Sequence, residues 1–296
     1  MKNTFALRNS VLMVLVAFVT SACGGGEDCP ACGSPRSEGQ VESPDLVELS
    51  GVTASARFDN VLYAHNDSSD SSRLFAMSAV GEQLAVYNVE DAANDDWEDI
   101  AYGPCAVGQC LYVGDIGDND EERATYDIYL AEEPEAVEAG TMGSLPSSRV
   151  SFTYPDGSHN AEVLLVHPTT GVVTIVLKAE SGPASVYEVG PLVPDQTLEA
   201  RLVGEVDPPE GKAKFTGGSI HPDGTGILLR TNSRLFHYPM SEGETAAEAL
   251  SAEGCPLPVA SEAQGEAVSW LRAGDGFVTI GEGLGAPVNV SDCDGG

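Results

Sequence analysis

The chain has 296 residues, with 46 Asp or Glu against 14 Lys or Arg, and its formal net charge is −32. A surface this acidic repels polyanions, which excludes nucleic acid and anionic lipid surfaces as ligands. The 33 glycines and 18 prolines, together with scarce helical periodicity, favour short strands joined by turns. We therefore expect an all-β fold, in one large domain or two small ones.

The N-terminus has the features of a bacterial export signal. Two basic residues precede the apolar run Val11–Val19, which is too short to span a bilayer. The sequence TSAC then ends at Cys23 and resembles a lipobox, whose cysteine becomes the lipidated first residue of the mature protein. We predict a lipoprotein signal peptide at 1–22 and a palmitate-bearing membrane anchor at Cys23; the alternative is an ordinary cleaved signal. Because Gly24 follows, the expected place in the cell envelope is the outer membrane if the host is Gram-negative.

The segment after the signal is rich in Gly, Ser, Pro and acidic residues and has no apolar period. It is predicted to be a flexible tether over 23–44, followed by a single folded domain over 45–296. Cys29 and Cys32 form a CxxC in this tether. Zinc would need two more Cys or His at ligand spacing, and none lies within about 30 residues. The pair is therefore interpreted as a tail disulfide or as incidental.

The remaining cysteines support export. Six of the seven cysteines are left if Cys23 carries lipid, and an even number in an exported chain predicts disulfides. Cys105 and Cys110 flank the short loop AVGQ and are expected to pair. Cys255 and Cys293 are expected to form a second disulfide that braces the last part of the fold.

The folded part contains five repeats of about 50 residues, each with three or four strand-like runs. The first runs occupy residues 49–55, 97–104, 160–168, 216–222 and 265–271. Their alignment on Ser50, Glu98, Glu162, Gly218 and Glu266 gives spacings of 48, 64, 56 and 48 residues. Such repeats are typical of β-propeller blades, because each sheet has two faces to bury against its neighbours. A β-sandwich would not predict five copies in one order.

The number of blades is predicted as five or six. Two long segments, 131–150 and 190–215, are interpreted as loops, although either has room for a further blade. The fifth repeat lacks a clear fourth strand, and we expect the segment 46–49 to supply it and so close the ring. His167 and His221 each precede a proline in a repeat turn and are expected to be structural.

Five strings in the chain resemble a known group of proteins. They are YAHNDSSDSSRLFAM (63–77), DWEDIAYGP (96–104), LYVGDIGDN (111–119), TGGSIHPDGTGILLRT (216–231) and QGEAVSW with GEG (264–283). In this order they resemble a group of secreted and lipid-anchored bacterial β-propellers of the TolB-like type, over about residues 46–293. The resemblance implies six blades and gives no activity to carry over. More distantly, the chain is similar to phytase-like and lactonase-like metal-dependent hydrolases and to propellers that only bind.

The candidate site lies at the central channel, which the first strand of each blade lines. Glu98, Glu162 and Glu266 occupy the repeat position there, and Asp115 follows a second strand, so these four carboxylates are the predicted Ca²⁺ ligands. The alternative is that the glutamates accept backbone N–H groups of the neighbouring blade and hold the blades in register. Secondary candidates at the channel mouth are His65, Asn66, Asp67, Asp99, Asp118 and Asn119.

Two functions follow from this arrangement. The first is a lipid-anchored envelope propeller that binds a protein, glycan or small ligand at the channel mouth. The second is a Ca-dependent hydrolase of the phytase-like or lactonase-like type, with His65 as the best candidate for a general base. The two are separated by whether the four predicted carboxylates converge within about 5 Å, as a shared calcium ion requires. Enzymatic activity is left open by the sequence.

Overall fold

The computed structural model describes residues 1, 29–68 and 70–294, so most of the predicted signal peptide and the predicted lipidation site at Cys23 lie outside it. The first strands are β1 (Arg36–Gln40), β2 (Leu49–Ala54), β3 (Val61–Asn66), β4 (Arg73–Ser78), β5 (Gln83–Val89), β6 (Trp97–Cys105) and β7 (Gly108–Asp115). The next are β8 (Tyr126–Glu132), β9 (Thr141–Leu145), β10 (Ser147–Thr153), β11 (Ala161–Val166), β12 (Val173–Leu177), β13 (Ala184–Val189), β14 (Thr197–Glu199) and β15 (Arg201–Val206). The last are β16 (Phe215–Ile220), β17 (Gly226–Thr231), β18 (Arg234–Pro239), the helix α1 (Ala246–Leu250), β19 (Cys255–Leu257), β20 (Gly265–Trp270), β21 (Gly276–Gly281) and β22 (Pro287–Asp292).

The described strands form five sheets, and the sheets are the blades of a five-bladed β-propeller. In order, the blades are β2-β3-β4-β5-β9, β6-β7-β8-β10-β14, β11-β12-β13-β15, β16-β17-β18-β19 and β20-β21-β22-β1. The innermost strands contact one another around a closed cycle, from β2 through β6, β11, β16 and β20 and back to β2. The predicted all-β propeller and its five first strands are confirmed.

The described residues contain no sixth blade, which the resemblance had implied. The two segments interpreted as loops instead add strands to existing blades. Strand β9 pairs in parallel with β5, and β14 pairs in parallel with β10, each as the outermost strand of its sheet. These additions cover blade edges that would otherwise expose unpaired backbone groups.

The core is divided into five apolar clusters, one in each interface between neighbouring blades. Strand β11 shows how one strand serves two interfaces. Val163 and Leu165 pack toward the fourth blade, whereas Leu164 and Val166 pack toward the second. Successive side chains on a strand point to opposite faces, so a strand buried on both faces is apolar at nearly every position.

The ring is closed by a segment that the sequence analysis assigned to the flexible tether. Strand β1 pairs antiparallel with β22, with Arg36 opposite Val290 and Gln40 opposite Pro287. The prediction that 46–49 supplies this strand is wrong, because Leu49 begins β2, the inner strand of the first blade. The predicted domain boundary at residue 45 is also wrong, since ordered structure is present from Cys29. We call residues 29–40 the strap.

Two disulfides fix the strap to the ring. Cys29 pairs with Cys255 on the fourth blade, and Cys32 pairs with Cys293 at the end of the fifth. The predicted Cys255–Cys293 pair is therefore wrong, and so is the reading of the CxxC as a tail disulfide or incidental. The predicted Cys105–Cys110 pair is confirmed. Among the described residues, no helix has the length and apolar character needed to cross a membrane.

We predict that the strap disulfides contribute more to stability than the hairpin disulfide. Cys29 and Cys255 are 226 residues apart, whereas Cys105 and Cys110 are 5 apart. In the chain-entropy model, loops of these lengths correspond to about 5 and about 2 kcal/mol of unfolding free energy. Paired Cys→Ser variants, compared by denaturant unfolding of the oxidised proteins, measure the two values. An equal loss for both pairs would contradict the prediction.

Candidate functional site

The central channel has two mouths of different chemistry. The inner strands begin at one mouth, which carries Glu98, Glu162, Glu266 and Lys178, and we call it the acidic mouth. They end at the other mouth, where residues from all five blades line a cavity of about 340 Å³. We call this cavity the five-blade pocket. The two mouths are therefore separate candidates for a functional site.

The four carboxylates predicted as calcium ligands do not gather around one point. Glu162 forms an ion pair with Lys178. Glu266 accepts a hydrogen bond from the Asn232 side chain at 3.0 Å. Asp115 is fully buried and pairs with Arg123, whose Nη1 lies 2.7 Å from its Oδ1. Among the described residues, Glu98 alone of the four belongs to a group of acids whose oxygens lie close enough to share an ion, so the predicted ligand set is wrong.

Asp115 has a positioning role instead. Its two carboxylate oxygens accept the backbone N–H groups of Asp95 at 3.2 Å and Asp96 at 3.1 Å. These two hydrogen bonds hold the turn that precedes β6 in place. Arg123 also donates to the backbone oxygen of Gly117 at 2.8 Å, so one guanidinium holds the segment that follows β7.

Glu98 lies in a different group from the predicted one. Single carboxylate oxygens of Asp67, Asp96 and Glu98 all lie within 4.8 Å of one another. Glu98 is buried, whereas Asp67 and Asp96 are half-buried at the rim. Asp67 was predicted as a secondary candidate, whereas Asp96 was not predicted. The only signal for Asp96 in the sequence is its position two residues before Glu98, in the turn that leads into the inner strand.

Burial and mutual repulsion disfavour full ionisation of the carboxyl groups at the acidic mouth. Burial, followed by the charges of Glu162 and Asp67, raises the pKa of Glu98 well above its ordinary value. Burial and the neighbouring Asp67 raise the pKa of Asp96 to about 7. Burial likewise raises the pKa values of Glu162 and Glu266 to about 7. A bound cation would relieve this repulsion.

Asp99 lies on the channel axis below the mouth and not at it. Its Oδ2 accepts the backbone N–H groups of Leu164 in the third blade at 3.0 Å and Gly218 in the fourth at 3.3 Å. Its Oδ1 accepts the N–H of Ile100 at 2.9 Å. A Cβ at Gly218 would lie 2.7 Å from the Val163 side chain, which explains the glycine there. The predicted alignment of Gly218 with Glu98 and Glu162 is wrong, because the strand bulges place Thr216 at that repeat position. A carboxylate thus holds blades in register as the alternative proposed, but it is Asp99 and not a glutamate.

We predict that Asp99 is needed for the stability of the ring. Asp99→Ala leaves two inter-blade N–H groups buried without a partner and should cost about 2–5 kcal/mol of unfolding free energy. Asp99→Asn keeps one acceptor oxygen but turns its NH₂ toward a donor, so its loss should be smaller. Denaturant unfolding of the wild type and the two variants measures their unfolding free energies, which should fall from the wild type through Asp99→Asn to Asp99→Ala. Equal stability of Asp99→Ala and the wild type would contradict it.

The other secondary candidates have structural roles. His65 is fully buried, donates from Nδ1 to the Asn66 backbone oxygen, and packs its ring edge-on against Trp97. Asn66 uses its side chain to tie β3 to the backbone of residues 45–48. Asp118 accepts three hydrogen bonds that shape the loop after β7. Asn119 is exposed and lines a polar depression with Lys178 and Glu266.

We predict that His65 makes stability depend on pH. Burial lowers its pKa from 6.5 to about 4, so the unfolded chain binds the proton more readily between these values. Stability should therefore fall as the pH drops from 6.5 toward 4. In His65→Gln this contribution is absent, and the slope of unfolding free energy against pH should be smaller by up to about 1.4 kcal/mol per pH unit. Parallel slopes for the two proteins would show that His65 does not titrate in this way.

The five-blade pocket combines apolar walls with a few polar groups. Ile100, Val166, Ile220 and Trp270 supply apolar surface, and Tyr102, Gln109 and Arg272 supply polar groups near the opening. The four serine and threonine residues of the lining are Thr53, Ser55, Ser219 and Ser269. Three of these hydroxyls already bond to protein: Ser219 accepts from Trp270 N–H, Ser269 accepts from Ala54 N–H and Ser55 donates to buried Glu133. Ligand contacts would therefore fall to the groups near the opening.

The fold and its two mouths define the chain as a five-bladed β-propeller with a closed ring. No known family profile matches the chain, and no curated protein matches it by sequence. Among solved structures, it is similar to the WD40 repeats of RRP9 at 10% identity, with a TM-score of 0.44, over 90% of this chain and 99% of that one. It is also similar to U3-55K at 9% identity, with a TM-score of 0.44, over 89% of this chain and 100% of that one. These values carry no information about ligand or activity.

Proposed function

We propose that the protein is an exported, lipid-anchored binding module that holds a small amphipathic anion in the five-blade pocket. The observation that carries this proposal is the pocket itself, since residues from all five blades converge on it. A cavity of about 340 Å³ lies at the lower end of the range for small-ligand sites. Its mixture of apolar walls and few polar groups is typical of such sites.

The charge of the pocket supports an anionic ligand. In a chain with only 14 basic residues, the side chain of Arg272 lies at this opening, 45% exposed. Its Nε donates to the Ala56 backbone oxygen at 2.8 Å and its Nη1 pairs with Asp59. Its Nη2 has no hydrogen-bond partner in the described part of the chain, and an anionic group of a ligand would supply one.

The body of the ligand is expected to be apolar. Trp270 and Ile100 supply apolar parts of the lining, and Tyr102 presents an aromatic ring with a hydroxyl group. Burial raises the pKa of Tyr102, so the hydroxyl stays protonated and can donate a hydrogen bond. An aromatic or aliphatic body with one acidic group satisfies both sets of contacts.

The cysteine pairing supports export and the anchor. All six cysteines of the described residues form disulfides, which persist in oxidising compartments such as the bacterial periplasm. The seventh cysteine is Cys23, at the end of the lipobox-like sequence. We propose that it carries the lipid and holds the protein in the cell envelope. The hydrolase alternative is not supported, because the four carboxylates it required do not converge.

The pocket is tested with anilinonaphthalene sulfonate, an aromatic anion whose fluorescence rises in apolar sites. The full chain is expected to bind one molecule and to show quenching of Trp270 in a Trp97→Phe background. Arg272→Gln should weaken binding by about tenfold through loss of a charge-assisted hydrogen bond. Ala56→Phe should block the opening, because Ala56 is exposed and its new ring would enter the cavity.

The matched control is Arg57→Gln, which removes a charge next to the pocket without changing its lining. It should leave the affinity within about twofold. An equal loss in Arg57→Gln and Arg272→Gln would show that the dye responds to surface charge alone and would overturn the pocket proposal. In the same cells, the wild type is expected in the membrane fraction and Cys23→Ser in the soluble fraction. Equal distribution of the two would overturn the anchor.

A further inference from the structure

Three segments that are far apart in the sequence meet at one side of the acidic mouth. Asp67 follows β3 in the first blade, Asp96 and Glu98 flank the start of β6 in the second, and Gly117 follows β7. The carboxylate oxygens of the three acids lie within 4.8 Å of one another. Two oxygens that share one Ca²⁺ at 2.3–2.6 Å can be separated by up to about 5 Å. The spacing therefore fits a shared calcium ion.

Glu98 gives the second observation, independent of the clustering. The residue is only 4% exposed, yet no hydrogen bond from the described residues reaches its Oε1. Its Oε2 receives only a long contact of 3.3 Å from the Ser50 hydroxyl. Oε1 lies close to Asp96 at the rim, and a carboxylate oxygen that lacks a hydrogen-bond donor is costly on a residue this buried. The atom is oriented toward the place that a cation would occupy.

No basic side chain of the described residues forms an ion pair with this group. Lys178 pairs with Glu162, and Arg123 pairs with Asp115. None of the ion pairs in the described part of the chain includes Asp67, Asp96 or Glu98. The two nearest cations serve other carboxylates, so the three acids are left to a soluble ion.

Gly117 leaves the space in which the carboxylates meet. A Cβ at this position would lie 2.4 Å from Asp96 Oδ2 and 2.4 Å from Glu98 Oε1. Its backbone conformation is not left-handed, so an alanine is compatible with the chain path. The glycine is therefore needed for the close approach of the two oxygens and not for the turn itself.

The surrounding contacts fix the group from outside. Asn94 donates to the backbone oxygen of Asp67 at 2.8 Å and accepts the N–H of Trp97 at 3.1 Å, which joins the first blade to the second. Asp115 holds the backbone of Asp96. Ligands held by such outer contacts need little reorganisation when an ion binds.

We infer that Asp67, Asp96 and Glu98 form a calcium-binding site in the cradle left by Gly117. Calcium takes six to eight oxygen ligands, and three carboxylates supply three to six of them. Water fills the rest, because Asp67 and Asp96 are half-buried at the open mouth. The site joins the first and second blades at the mouth opposite the five-blade pocket, and it does not depend on ligand binding there.

The test is calorimetric titration of Ca²⁺ into the full chain after removal of metal with a chelator. One ion per chain is expected to bind, with a rise in melting temperature at saturating Ca²⁺. Glu98→Gln removes a ligand and Gly117→Ala crowds the cradle while keeping all three acids. Each should weaken binding by about tenfold or more. Terbium luminescence sensitised by Trp97, which lies between Asp96 and Glu98 in the sequence, gives a second measure of how fully the site is occupied.

The matched control is Asp120→Asn, an exposed acid on the same loop as Gly117. It should leave the affinity within about twofold. The inference is overturned if the wild type neither releases heat nor gains stability with Ca²⁺, or if Asp120→Asn and Glu98→Gln lose affinity equally. Binding of Mg²⁺ as tight as Ca²⁺ would overturn the choice of ion. If Glu98→Gln fails to fold, Asp67→Asn at the rim replaces it, and unchanged affinity in that variant would also count against the site.

Discussion

Closure of the ring is the constraint on which the rest of the structure depends. Each blade is a sheet with two apolar faces, and the five clusters between blades leave no face for solvent only if the last blade meets the first. The strap accomplishes this with backbone pairing to β22 and two covalent bonds. A buried ion pair between Arg230 and Glu262 joins the fourth blade to the fifth, and Asp99 joins the second to the third and fourth. The polar contacts thus set the angles between blades that apolar packing alone would leave loose.

The same closure creates the electrostatic problem at the acidic mouth. Because every blade presents the same end of its inner strand to one opening, acids at equivalent repeat positions are brought together whatever the rest of the chain does. Three different contacts offset this crowding of charge. Glu162 forms an ion pair, Glu266 accepts a hydrogen bond from an amide, and the group around Glu98 includes two half-buried acids at the rim. Among the described residues, only the last brings three carboxylates together without an ion pair, and it is therefore the part of the mouth with unused binding capacity.

Much of the fold follows from the sequence, because repeat spacing and alternating apolar runs report local structure directly. His167 and His221 were expected in repeat turns, and both accept backbone N–H groups there. The site was less predictable. Glu98 and Asp99 are adjacent, so their side chains face opposite ways, and a spacing argument cannot say which one faces the mouth and which the axis. Disulfide connectivity is also underdetermined by sequence, since six cysteines allow 15 pairings. The strap was missed because a short polar edge strand has no apolar period.

The position of the strap has a consequence for the orientation of the molecule. Cys32 bridges to Cys293 just beyond the end of β22, and Cys29 lies beside Trp270, so the chain enters the propeller on the side of the five-blade pocket. If Cys23 carries the lipid as proposed, six peptide units separate it from Cys29, a reach of at most about 20 Å. A domain of this size is wider than that reach, since size scaling gives a radius of gyration of about 18 Å. The five-blade pocket would then face the bilayer, where amphipathic molecules are concentrated. The acidic mouth would face away from the anionic headgroups, which repel it.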